Sequence, residues 1–553
     1  MVGEQCLEMK GRRFMELYEI PVDVLGGAAG DYIKNKSTIT SFFDYVPYGV
    51  EFTKRAKHLE ERTYPREQLA AYFTRYNEEL GAGARTIENI RAFREEDALV
   101  VVGGQQAGML TGPLYTIHKI ISLLQLAKEQ EQQLGKRVVP VFWIAGEDHD
   151  MNEINHIYVT SKGKLKKSVL PQMYEKKASA SQVELSQDMT LAWVESIFKT
   201  FRETKYTKEL LELVKVCLHH SRTYTDFFGR LIMEIFKEEG LILMDSGAPE
   251  LRRIEIPFFQ TLIQKEMQIR TALKQTQQRI VESGYEPLIT TKPEVCHLFL
   301  DIEGERWLLE RRDDLFVCKD GEYAFTEVEL LELLEKEPQR FSNNVVTRPL
   351  MQEYVLPTLA FVGGPGEIAY WAELQGVFHE VGWMMPPVVP RFMLSYLEGH
   401  IASDMIDLGL DVAELFSKKL GEAREAWLAA QVQEPVEETF AQVHEEIMRS
   451  HEVARELVER INPSLRSYAY KNQRKIEEQL QLLERMLRKN IEQKHDVSLN
   501  KFRRIELSLQ PAGGLQERTW NVLYYLNEYG LDWIHHITQL SFTWDDTHKV
   551  IKL

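Results

Sequence analysis

The chain has 553 residues, 44% hydrophobic and 27% charged, the balance of an ordinary globular protein with apolar material for three or four folding units. Its formal net charge of −17 argues against a nucleic-acid partner, which needs a dense Lys/Arg surface. Cys6, Cys217, Cys296 and Cys318 form no C-x-x-C pair, Met1 to Met15 is polar, and no run of about 18 apolar residues occurs. The expectation is a cytoplasmic protein without a disulfide framework, secretion signal or membrane span.

Residues 1–95 read as mainly helical, with Leu69, Tyr72, Phe73 and Tyr76 at helical spacing between Tyr64 and Leu80. Ala98–Val102 is a continuous β-branched run, the mark of a strand buried on both faces. Glycines follow, then a helix from Pro113 to Gln133 and a second buried strand, Val138–Ala145. This strand–helix–strand unit, within 96–159, predicts a parallel sheet. Leu241–Asp245 (in 241–264) and Thr358–Val362 (in 346–410) resume the pattern, so one doubly wound α/β core is interrupted by two inserts. The first, 160–240, opens with a hairpin at Lys162-Gly163 and turns helical. The second, 265–345, carries a β-meander through His297–Ile302, Arg306–Glu310 and Leu315–Cys318.

Across 411–500 the pattern becomes heptad-like. Val436, Phe440, Val443, Ile447, Ser450, Ala454, Leu457 and Ile461 step by four and three, Pro463 interrupts, and Ile476, Leu480, Leu483 and Leu487 resume. Two helices folded back as an antiparallel coiled coil fit this spacing, with an ordinary buried helical hairpin as the plainer alternative. Residues 501–553 are expected to dock on the core.

Five segments carry possible chemistry. Gly103–Gly108 lies between a buried strand and a helix, where open α/β sheets bind ligands. It is neither a Walker A loop nor G-x-G-x-x-G. Gly104, Gln105, Gln106 and Gly108 are candidates to hold an anion such as a nucleotide phosphate, and His118 and Lys119 to stabilise developing charge. Glu147-Asp148-His149-Asp150, followed by Asn155, crowds carboxylates beside an apolar strand. They suit an ammonium, sugar hydroxyls, a metal or base catalysis by Asp148 or His149; a helix N-terminus with Asp150 as cap is the bland reading. Gly364 and Gly366, with Glu367 and Tyr370, face the same cleft, and Arg391 offers a fork to phosphate or carboxylate, with a structural ion pair as the plainer and, in isolation, favoured reading. Gln510–Arg518 either docks the arm or touches ligand, and docking is preferred.

Ser41–Tyr45, Gly103–Gly108, Thr111–Lys119, Pro140–Asp150, Glu153–Asn155, Gly364–Glu367 and Pro511–Arg518, taken in order, resemble the cysteine ligases of bacillithiol biosynthesis. The resemblance runs from near Ser41 to the C-terminus. It implies a Rossmann-like nucleotide-binding core, two connecting inserts and a C-terminal coiled-coil arm that mediates homodimerisation. It implies ATP or ADP as ligand, with magnesium; zinc is not the expected metal. The implied substrates are cysteine and glucosaminyl-malate, joined through the cysteine carboxylate after activation as an adenylate or acyl-phosphate. His118 and Lys119 would then serve the phosphates, while Glu147, Asp150, Asn155, Glu367, Tyr370 and Arg391 would position substrates. His118-Lys119 departs from the HIGH signature of class I synthetases, and no KMSKS-like stretch stands out. A metal-dependent hydrolase built on 147–150 and a coiled-coil scaffold with a non-catalytic core are the alternatives.

Overall fold

The computed structural model describes residues 5–7, 15–21, 25–174, 176–290, 292–417, 420–432 and 434–553. The chain forms two units, one of residues 1–396 and 514–551 and the other of residues 397–513 with 552–553.

The first unit is built on a five-stranded parallel sheet. Its elements are β1 (Leu99–Gln105), α1 (Tyr115–Leu134), β2 (Val138–Ile144), β3 (Ile242–Asp245), β4 (Thr358–Gly363), α2 (Pro365–Trp371) and β5 (Val388–Pro390). The strand order is β5-β4-β1-β2-β3, all parallel. The order reverses between β1 and β4, so their carboxyl ends open a crevice at a topological switch point. Continuous apolar runs form these strands because both faces are covered: all seven residues of β2 are buried. β1 and β2 pair from Leu99↔Val138 to Gln105↔Ile144. That register explains Gly104, where a Cβ would sit 2.5 Å from the Trp143 carbonyl oxygen. The neighbouring strand thus requires a glycine at this position, which also lines the cavity described below.

The helix Arg66–Glu79 buries Leu69, Tyr72, Phe73 and Tyr76 as the spacing requires. The mainly helical reading of 1–95 needs one correction, since Gln5–Leu7 and Met15–Pro21 are strands of a separate four-stranded sheet. A hairpin of His156–Ser161 and Lys164–Val169 turns at Lys162 and Gly163, both at positive φ, and begins four residues before the expected insert boundary. Helices Gln187–Phe198, Thr207–His219 and Tyr224–Ile235 follow. The second insert holds an antiparallel sheet that includes Val295–Ile302, Glu305–Arg312, Leu315–Cys318 and Phe341–Asn343.

In the second unit, helices Val436–Ile461 and Arg466–Lys494 are joined through Asn462, whose side chain accepts from Ser464 N at 3.1 Å ahead of a short turn at Pro463. They run antiparallel, with Arg488 meeting Glu437 at 3.0 Å and Asn472 meeting His451 at 3.0 Å. Val436, Phe440, Val443 and Ile447 are half-buried as the heptads require. Beyond Ile447 the covered face moves to His451, Arg455 and Val458, while Ser450, Ala454, Leu457 and Ile461 are exposed. A helix of 3.6 residues per turn drifts off a strict seven-residue repeat, so a straight hairpin covers only part of the stripe. Likewise Ile476 and Leu480 are half-buried, whereas Leu483 and Leu487 are exposed. Residues 501–513 also belong to this unit, and Gly514–Ile551 belong with the core, a boundary later than the expected one at 501.

Candidate active site

A cavity of about 300 Å³ lies at the carboxyl ends of the parallel strands. Its lining includes Gly104, Gln105 and Gln106 at the end of β1, Lys119 on α1, Asp148 after β2, Arg348, Gly364, Gly366, Glu367 and Tyr370 after β4, Arg391 after β5, and Arg518. Four cations line it, Lys119, Arg348, Arg391 and Arg518, against two carboxylates, Asp148 and Glu367. In a chain of net charge −17 this gathers four cations at one place, three of them paired with acids and Arg518 in no ion pair among the described residues.

The three paired cations are held by acids, Glu147 and Glu517 buried and Glu367 and Asp148 half-buried. Lys119, on α1, donates to the Gly104 carbonyl at 2.5 Å and to Gln105 Oε1 at 3.3 Å, and pairs with Glu367. Burial lowers its ammonium pKa, and Glu367 opposes that shift. Glu367 is fixed in turn by accepting from Gly364 N at 2.8 Å at the start of α2. Arg391 forks onto Glu517 at 2.7 and 2.6 Å, and Glu517 also meets His118 Nδ1 at 2.9 Å. Burial pushes the Glu517 carboxyl up, but Arg391 and His118 outweigh it and hold it well below the ordinary carboxylate range.

A second chain of charges crosses to the insert. Glu147 accepts from Arg252 at 2.7 Å and from Arg348 Nε at 2.8 Å, while Arg348 Nη2 reaches Asp148 at 2.9 Å. Arg306, on the insert strand, lies 3.7 Å from Asp148. Burial pushes Asp148 up, and Arg348 with Arg306 brings it below its usual value, so it is an ionised acceptor rather than a poised base.

Several expected residues stand elsewhere. His118 is fully buried behind Arg391 and does not line the cavity. Glu147 is 1% exposed and committed to two arginines. His149 faces Phe299 and accepts from Arg306 Nη1 at 3.3 Å; burial and then Arg306 lower its pKa. Asp150 caps a short helix, accepting from Asn152 N at 3.2 Å. Asn155 closes that helix, and its backbone carbonyl accepts from Leu170 N at 2.8 Å. Gly108 lines an adjoining cavity instead. Arg391 reaches the cavity, but its fork is spent on Glu517, as in the plain ion-pair reading.

Sequence reasoning passed over Arg348 and Arg306, whose acidic partners lie more than 150 residues away. Arg518 stood inside a stretch assigned to docking, yet it lines the cavity and forms no ion pair among the described residues. Its neighbour Asn521 donates to the Leu110 and Gly112 carbonyls, each at 2.7 Å. These bonds hold a loop where Leu110 and Thr111 take φ of 52° and 77°, costly for side-chain-bearing residues. Among the described residues no three His, Cys, Asp or Glu side chains gather to hold a metal, and no helix is long and apolar enough to cross a membrane.

Residues 15–392 match the family described as bacillithiol biosynthesis BshC, N-terminal Rossmann-like domain, and residues 394–553 match its C-terminal coiled-coil domain. A Bacillus cereus (strain AH187) protein named "Putative cysteine ligase BshC" is 52% identical over 539 residues, covering 98% of this chain and 100% of its own. Proteins of the same name from Bacillus thuringiensis (strain Al Hakam) and Bacillus anthracis (strain CDC 684) are 52% and 51% identical with the same coverage. A Campylobacter jejuni crystal structure described as a putative arginyl tRNA synthetase aligns over 89% of this chain and 99% of its own at 12% identity, with a TM-score of 0.23, too low to inform fold or chemistry. With a Rossmann-like core, a coiled-coil domain and relatives more than half identical over nearly its whole length, the chain belongs to the BshC family of bacillithiol biosynthesis.

Proposed function

We propose that this chain is a ligase that joins the carboxylate of cysteine to the amine of glucosaminyl-malate, with ATP and magnesium acting in the switch-point cavity. The observation that carries the reading is the gathering of Lys119, Arg348, Arg391 and Arg518 around one crevice of an otherwise acidic chain. The names of the relatives support the cysteine ligase class. Joining a free carboxylate to an amine in water is uphill, and ATP supplies the activation when bound.

The chain's own residues then have distinct tasks. Lys119 and Arg348 stabilise negative oxygens in a site where their charge is little screened. Gly364 and Gly366 present backbone to the ligand beside Arg391. Asp148, kept ionised, accepts hydrogen bonds from the attacking amine and orients it. Tyr370 and Trp371 supply aromatic wall. His118 acts through Glu517, which it holds against Arg391, and is therefore a positioning residue. Magnesium enters with the phosphates in this scheme, and a hydrolase holding its own metal finds no ligand set among the described residues.

Mass spectrometry of purified protein with cysteine, glucosaminyl-malate, magnesium and ATP tests the reading. ATP-dependent bacillithiol is expected, with AMP or ADP reporting which phosphorus is attacked. Equal bacillithiol without ATP, or none from folded protein, would overturn it. We also propose a homodimer through the arm, because Leu457, Ile461, Leu483 and Leu487 leave apolar surface exposed. Leu457→Glu with Ile461→Glu is expected to give a monomer in sedimentation velocity.

A further inference from the structure

Beside the main cavity lies an annex of about 220 Å³, with Pro113, Thr116, Ile154, Ile157 and Tyr158 in its wall. Gln105, Gln106, Tyr115 and Arg518 line both spaces. The Gln106 amide stands in the partition: it donates to Glu153 on the annex side at 2.8 Å and lies 3.4 Å from Asp148 on the other.

Two features of the annex point to a ligand. Thr116 is fully buried, and its hydroxyl has no hydrogen-bond partner. A helical threonine ordinarily bonds back to the carbonyl four residues earlier. Here the Thr116 hydroxyl makes no such bond, and the Gly112 carbonyl accepts from Asn521 Nδ2 at 2.7 Å. A buried hydroxyl without a partner is costly unless a ligand supplies one. The second feature is charge. Glu153 and Arg518 are exposed, opposite in sign and in one small cavity, and Arg518 forms no ion pair among the described residues. A carboxylate and a guanidinium so placed complement a zwitterion, whereas a polyanion would meet Glu153 unfavourably.

We propose that the annex binds the free α-amino acid, with its ammonium at Glu153, its carboxylate at Arg518 and its side chain toward Thr116 and the Ile154–Ile157 wall. The inference rests on the ligase reading for its purpose: Arg518 also lines the main cavity, so a carboxylate held there is presented to the place of activation.

Calorimetry on the full chain with L-cysteine, cysteamine and 3-mercaptopropionate, each with and without a non-hydrolysable ATP analogue, tests this. L-cysteine is expected to bind at least about tenfold tighter than either truncated probe, since each lacks one charge-assisted contact. Glu153→Gln is expected to weaken L-cysteine while leaving 3-mercaptopropionate unchanged. Arg518→Gln is expected to weaken L-cysteine while leaving cysteamine unchanged. Thr116→Val is expected to narrow the preference for L-cysteine over L-2-aminobutyrate. Wild-type cysteine affinity in both charge variants, with and without the analogue, would overturn the annex. The two readings fail separately. Bacillithiol formed by both variants at the wild-type KM for cysteine would remove the annex and leave the ligase. The expected charge pattern in a chain that makes no bacillithiol would keep the amino-acid site and remove the ligase.

Discussion

In the core, Glu517 is 1% exposed and holds both Arg391 and His118, whereas in the arm Arg488 reaches Glu437 and Glu484 from a side chain 43% exposed. Both are ion pairs at hydrogen-bonding distance, yet their physics differs. In the core, desolvation makes each unpaired charge expensive, so every buried cation near the cavity has an acid committed to it. In the arm, water screens the charges and the pairs contribute little. The lesson concerns function as much as stability. The cavity's cations are kept in place by the acids paired with them, so substitutions at Glu147 and Glu517, behind the cavity, should reach the chemistry.

The largest effect is expected for Glu517→Ala, which leaves Arg391 buried without its partner. A loss of about 3–5 kcal/mol in chemical denaturation follows from breaking a buried pair. A loss as small as that of a surface pair would break the comparison.

Next is the acid at the end of β3. Asp245 accepts from Ser181 and Gly247 N, but burial raises its pKa to about 6. A raised acid holds its proton more tightly folded than unfolded, where it titrates near about 3.9. Its contribution is therefore intact below about pH 4 and is lost as pH rises to about 6, a change of about 3 kcal/mol. Denaturation of the wild type and Asp245→Asn across that window should show the difference, and parallel curves would contradict it.

Arg348→Lys sharpens the comparison at the site itself. Lysine keeps the charge but not the fork that spans Glu147 and Asp148. A fall in kcat of roughly 100-fold, about 2.7 kcal/mol, is expected with the melting temperature largely kept. At the small end, Arg488→Ala in the arm should change stability by about 0.5 kcal/mol or less.

Much of this architecture is legible in the chain. The strands around Val100, Val141 and Leu359 announce themselves because burial on both faces demands continuous apolar runs. The hairpin at Lys162-Gly163 is legible because that turn needs two residues at positive φ. The cleft is legible too, because glycine-rich and acidic stretches follow those strands. The assignment of individual side chains is not. Glu147, Asp148, His149 and Asp150 are consecutive, but one faces two arginines, one the cavity, one the insert and one its own helix. Their directions are decided by Arg252, Arg306 and Arg348, far away in sequence. Similarly His118 and Lys119 are neighbours on α1, about 100° apart around the helix, so only one of them lines the cavity.

The most direct test of the central claim follows oxygen from L-cysteine labelled with oxygen-18 in both carboxylate positions. If the carboxylate is activated by ATP at the switch-point cavity, the new amide keeps one labelled oxygen and the other leaves on AMP or inorganic phosphate. Label in a phosphorus-containing product, formed only when glucosaminyl-malate, ATP and the full chain are all present, is the predicted result. Bacillithiol accompanied by unlabelled AMP and phosphate would contradict it.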